Sequence, residues 1–323
     1  MRKFSDKSFI FIVMVSLLIV LAGCGSNQSK ENTNQIASNQ FVVTDDLKRQ
    51  VTLTKYPTRI VALSPSFLEV LNEVDAKVIG RPSSKSVVPD RFQAAEEVGA
   101  VYHINIEKVV GLQPDLVIAY EGMHDKFVPI LEANHIPVIV VRMKTYQDVL
   151  DKITLFGQIT GNVERSQALA EKMQTKTNEI LARIPQAGKR VAILHSTAKS
   201  VTVELEGSIA GSTAQMLGFK NIASGSTALE SDPDSTPYSL EKLVESNPEI
   251  IFVVTMGDLE AIKKQMTEEM KMNPAWNSLA AIQQDKLYFL PQDLFLLNPS
   301  LRYPEAVQTM AQCVYPEVAN DGK

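Results

Sequence analysis

Short Val/Ile-rich runs alternate with helical segments twice in this chain, and the two series are separated by residues 146–184, which carry no strand signal. The first series comprises residues 59–64 (RIVALS), 77–80 (KVIG), 115–120 (DLVIAY) and 137–141 (PVIVV). The second comprises 190–194 (RVAIL), 249–254 (EIIFVV) and 287–290 (LYFL). Strands that are apolar throughout are buried on both faces, and a helix between successive strands means βαβ units with a parallel sheet. Helices are expected over 67–74, with Ser66 as N-cap, over 104–111 and over 127–134. Gly157 and Gly161 divide the strandless middle into two helices. In the second, Leu169, Met173, Ile180, Leu181 and Ile184 recur at three- or four-residue spacing and form one apolar face. From Val163 to Ile184 such a helix spans about 33 Å. A continuous helix between two lobes resists bending, so only small lobe closure is expected.

The expected fold class is α/β, with two Rossmann-like lobes built on parallel sheets and joined by one long interlobe α-helix. Residues 41–144 make the first lobe, 145–186 the linking helices, 187–318 the second lobe and 319–323 a tail. Ahead of them lies a different kind of sequence. Arg2, Lys3 and Lys7 precede an apolar run from Phe9 to Leu21 that ends in Leu21-Ala22-Gly23-Cys24. That is the anatomy of a secretory signal, and about 20 Å of helix is too short to span a bilayer. The L-A-G-C ending resembles the bacterial lipobox, which implies a signal peptide over 1–23, cleavage before Cys24 and a lipid on its sulfur. Residues 24–40 are rich in Asn, Gln and Ser and read as a flexible tether. The expected location is the outer face of the cytoplasmic membrane. Without residues 1–23 the chain holds 29 basic and 36 acidic side chains, a net charge of −7. No basic run points to nucleic acid. With Cys24 lipidated, Cys313 has no partner for a disulfide, and the chain is expected to be a monomer.

Six segments in order resemble the iron-complex and cobalamin class of solute-binding proteins of ABC importers. They are RIVALSP (59–65), VGA (98–100) followed by NIEKVVGLQPDLVI (105–118), AGSTAQMLGFKNIA (210–223), SLEKLVESNPEIIF (239–252), Trp276 with AAI (280–282), and KLYFLP (286–291). The resemblance covers about residues 41–316. Each lobe carries one helix that opens with a glutamate and stops at a proline before a Val/Ile strand. On their own, Glu107 and Glu241 are favourable charges at helix N-termini, worth about 0.3–1 kcal/mol each. The resemblance implies that they dock onto arginines of the permease dimer, which works with an ATPase.

Ligands of open α/β sheets bind beyond the carboxyl ends of the strands. Those ends offer Arg81, Tyr102, His103, Tyr120, Met123, Arg142, His195, Tyr238 and Met256 as ligand-binding candidates. Aromatics, methionines, histidines and arginines together suit a large planar ligand with acidic substituents, since guanidinium pairs with carboxylates and haem iron takes axial His, Met or Tyr. The segment before N-I-E resembles the haem-binding branch of the class, which puts Tyr102 or the adjacent His103 at the first-lobe axial position and Met256 near the second. Haem is the expected transported ligand, with a ferric siderophore next and cobalamin as the alternative. No tightly bound cofactor is expected. His124 and His135 read as solvated residues in or beside helices.

Enzymatic readings find no footing. Gly207-Ser208-Ile209-Ala210-Gly211 has its serine at the wrong position for a nucleophile elbow, and no H-E-x-x-H, P-loop or G-x-G-x-x-G occurs. A bare-metal binding protein would need three or four converging ligands, and the four histidines at 103, 124, 135 and 195 are scattered along the chain.

Overall fold

The Val/Ile runs lie at the centres of two sheets in the computed structural model of the chain, which describes residues 40–84, 88–185 and 187–319. The first lobe opens with a hairpin of β1 (Phe41–Thr44) and β2 (Gln50–Leu53). It continues through β3 (Ile60–Ala62), α1 (Leu68–Glu73), β4 (Val78–Ser83), β5 (Glu96–Ala100), β6 (His103–Ile104), α2 (Ile106–Gly111), β7 (Leu116–Tyr120), α3 (Val128–Ala133) and β8 (Val138–Val141). Its six-stranded sheet has the order β6-β5-β4-β3-β7-β8. All neighbours in it are parallel except β6, which runs antiparallel to β5. β3, β7 and β8 are buried along almost their whole length, as continuous apolar strands require.

Two helices, α4 (Tyr146–Thr160) and α5 (Val163–Leu181), carry the chain to the second lobe. The stop between them is at Gly161, whose φ of 76° is the left-handed cap conformation that glycine adopts without a Cβ penalty. Gly157 does something else. It lies inside α4, and a Cβ there would collide with the Ser166 side chain of α5. The missing side chain lets the two helices touch, so Gly157→Ala is expected to cost about 1–3 kcal/mol, as overpacking does. Adding Ser166→Gly should recover part of that loss in a denaturant titration. The crossing is thus a helix pair. α5 packs on α1 of the first lobe, and it is the longer member.

The second lobe comprises β9 (Arg190–Thr197), β10 (Val201–Glu204), α6 (Ile209–Met216), β11 (Lys220–Asn221), β12 (Ser235–Pro237), α7 (Leu240–Ser246), β13 (Ile250–Met256), α8 (Leu259–Met272), α9 (Ala280–Gln283), β14 (Leu287–Phe289), α10 (Gln292–Phe295) and α11 (Tyr303–Val314). α11 also packs on α5. The sheet has the order β12-β10-β9-β13-β14, with β11 beside the start of β9. β9, β13 and β14 are parallel, whereas β10 runs antiparallel to both of its neighbours, β9 and β12.

The antiparallel strands depart from the all-parallel expectation, and loop length is the reason. Val101 and Tyr102 alone join β5 to β6, and three residues join β9 to β10, too few for a parallel crossover. Both hairpins shape the cleft between the lobes. Gly99 has a φ of 107°, and a Cβ on it would meet the His103 carbonyl oxygen. The glycine of the VGA segment therefore allows the tight turn that lifts Tyr102 off the sheet edge.

Candidate functional site

A cavity of about 250 Å³ lies beyond the carboxyl ends of the strands, lined by both lobes. The first lobe contributes Ser64 and Pro65 after β3, Tyr120 at the end of β7 and Met123 beyond it, Lys144 after β8, and Tyr102 from the β5–β6 turn. The second contributes His195 of β9, Glu204 of β10, Ser208 at the start of α6, Asp234 before β12, and residues 295–298 at and beyond the end of α10.

The candidate residues take different places. Tyr102, Tyr120, Met123 and His195 line the cavity, whereas Arg81, His103, Arg142, Tyr238 and Met256 are absent from its wall. Tyr102 is 53% exposed at the tip of its turn. Tyr120 is a wall residue: it stacks on Phe67 at 5.8 Å between ring centres and donates its hydroxyl to the Met143 carbonyl at 3.2 Å. Burial raises its pKa far above the ordinary phenol value, so it stays protonated.

Neither arginine is free for a ligand carboxylate. Arg81 is 8% exposed and is used up within its own lobe, donating to the carbonyls of Phe92 (3.0 Å), Pro82 (3.2 Å) and Gln93 (3.3 Å) and to Glu97 (2.9 Å). Arg142 reaches across to the second lobe. Its Nη2 donates to Asp234 Oδ1 and to the Gly207 carbonyl, both at 2.8 Å, while Lys144 Nζ donates to Asp234 Oδ2 at 2.6 Å. Burial by itself would raise the Asp234 pKa, but the hydrogen bonds from Arg142 and Lys144 hold it below the ordinary carboxylate value. Asp234 thus ties the β8 end of the first lobe to the second. The sequence carries no motif for this latch, because its members are some 90 residues apart and meet only in the fold.

Tyr238 is half-buried against the second-lobe core, and burial raises its pKa. Met256, at the end of β13, is 45% exposed. His103 is exposed on β6. Glu107 and Glu241 are exposed and occupy the same position, second in α2 and in α7, behind the N-caps Asn105 and Ser239. Cys24 lies outside the described residues.

His124 overturns its reading as a solvated side chain. It is 1% exposed, because the turn after β7 folds it under the β5–β6 hairpin. The Tyr120 backbone N–H donates to Nδ1 at 3.1 Å, so the ring proton sits on Nε2 and is donated to the Val101 carbonyl at 2.8 Å. Burial lowers its pKa below the ordinary histidine value. Its stabilisation is full above about pH 6.5, the unfolded value, and is lost as pH falls below it. The thermal midpoint should therefore drop between about pH 7.5 and 5.5, and less so in His124→Gln, which can make both bonds without titrating. Equal drops in the two proteins would contradict this role.

Residues 60–294 match the family described as periplasmic binding protein. Among curated proteins, the chain is 25% identical over 331 residues to the Fe(3+)-citrate-binding protein YfmC of Bacillus subtilis, covering 99% of this chain and 100% of that one. Two solved structures share the fold. An ABC transporter substrate-binding protein from Listeria monocytogenes superposes with a TM-score of 0.73 at 22% identity, over 81% of this chain and all of that one. Staphylococcus aureus IsdE complexed with heme gives 0.69 at 21% identity, over 80% of this chain and 99% of that one. A match over most of the chain and a two-lobed α/β fold shared along nearly the full length of both structures lead to one conclusion: the chain belongs to the periplasmic binding protein family.

Proposed function

We propose that this protein is the exported, Cys24-lipidated capture component of an ABC importer for an iron complex, with haem as its ligand. The observation that carries the reading is the cleft itself. It opens where α/β sheets bind ligands, its wall sets aromatic and apolar side chains beside Lys144, Glu204 and Asp234, and Tyr102 and His195 enter it from opposite lobes. Both residue types ligate haem iron. The relation to the Staphylococcus aureus high-affinity heme uptake system protein IsdE, 21% identical over 307 residues, supports the same ligand. Glu107 and Glu241 are the two permease contacts, one per lobe. A ferric chelate is the second reading, favoured by the relation to the B. subtilis Fe(3+)-citrate-binding protein.

A thermal-shift panel of haemin, ferric citrate, a ferric hydroxamate and cobalamin separates these ligands. At 100 times its dissociation constant a ligand adds about 2.7 kcal/mol to stability. Haemin should raise the midpoint and cobalamin should not. A shift with ferric citrate alone moves the ligand to the second reading, and no shift with any member contradicts the function.

A further inference from the structure

We propose that the second-lobe group meeting the bound iron is His195, and that Glu204 is the positioning residue that aims it. The assignment rests on the haem reading of the cleft. His195 stands on β9 and Glu204 on β10, and the antiparallel register pairs His195 with Thr202, so Glu204 is its diagonal neighbour on the same face. Its Oε1 lies 3.0 Å from His195 Nδ1. An ionised carboxylate only accepts, so Nδ1 carries the ring proton and donates it, which leaves the lone pair on Nε2. Nε2 has no hydrogen-bond partner among the described residues. A carboxylate behind the distal ring nitrogen is how proteins orient metal-bound imidazoles and raise their basicity.

A second observation points the same way. The Glu204 side chain is 7% exposed, and its Oε2 is buried without a hydrogen-bond partner. A half-satisfied buried carboxylate costs stability, so packing alone gives no reason for it. The other acids of the cleft differ. Asp234 is engaged by Arg142 and Lys144, and Asp232 accepts from the Asp234 backbone and the Ser235 hydroxyl. Asn221 fixes the end of β10 by donating to the Glu204 carbonyl at 2.7 Å. Met256 is the alternative ligand from the second lobe. It lies two residues beyond Val254, the strand partner of His195, and off the cavity wall.

The test is a haemin titration of the chain from residue 25 onward, followed by spin-state and redox measurements on the complex. His195→Ala and His195→Gln should weaken binding by about 10-fold or more and convert six-coordinate to five-coordinate iron. Glu204→Gln retains an acceptor for Nδ1 but not the charge, so it should keep six-coordinate iron while the haem reduction potential rises. Met256→Leu should match the parent protein. Unchanged coordination in both His195 variants overturns the assignment while leaving haem binding in place. An unchanged potential in Glu204→Gln overturns the part given to Glu204. A parent protein that binds another ferric complex but no haemin overturns the haem reading, and the assignment with it.

Discussion

Cells whose only copy carries Glu107→Ala and Glu241→Ala together are expected to lose import of the iron complex, while the purified double variant binds its ligand with unchanged affinity. Both glutamates are exposed second residues of short helices, and neither lines the cleft. Removing an N-terminal charge costs each helix about 0.3–1 kcal/mol, too little to unfold a lobe. Charges of this kind orient a partner and speed encounter, so on the proposed docking role the loss of both should remove productive docking. Each single variant should import at a reduced rate that falls further with added salt. Normal import by the double variant would remove the docking role from these residues.

Asp234→Ala should bring the largest loss of stability among changes to the cleft wall. The carboxylate is 8% exposed, and it holds Arg142 and Lys144, which are 25% and 31% exposed. Breaking a fully buried pair costs about 3–5 kcal/mol, and the partial exposure of both cations brings the expected loss to about 2–4 kcal/mol. Because these bonds join the lobes, the variant should also show a larger radius of gyration and faster ligand entry. The pH dependence follows from the depressed pKa of Asp234. Its contribution is present above the unfolded value of about 3.9 and fades as pH falls through the lower folded value. The stability gap between the parent and Asp234→Asn should therefore close at the acid end. A constant gap down to pH 3 would assign the effect to packing instead.

Much of the fold was legible because its central strands are apolar at every position, and buried parallel strands need that. β3, β7, β8, β9 and β13 fall where the Val/Ile runs are, within a few residues. The sheet edges were not legible. β10 is a four-residue alternation, VTVE, after a three-residue break, and that pattern was the available signal for a hairpin. Missing it hid Glu204 from view. Ser66 was expected to cap the first helix, yet Ser64 caps a 3₁₀ turn that Pro65 begins, and α1 continues from that turn behind Phe67 with no side-chain cap of its own.

At the site, residue type was readable and partnership was not. Arg81 and Arg142 have the chemistry to hold a ligand carboxylate, but their guanidinium groups are taken by backbone carbonyls, Glu97 and Asp234. Nothing local in RPS or VRM announces those partners. His124 looked like a surface residue because a polar turn surrounds it, and only the β5–β6 hairpin folding over it makes it buried. Tyr102, expected from its place before N-I-E, lines the cavity at the tip of a turn whose close approach to the His103 carbonyl is allowed by Gly99.

The most direct test of the account is a visible-absorbance titration of haemin into the chain from residue 25 onward, beside a Tyr102→Ala variant. A saturable, red-shifted Soret band at one equivalent is expected, weakened or shifted in the variant. A spectrum that is only the sum of protein and free haemin would contradict it.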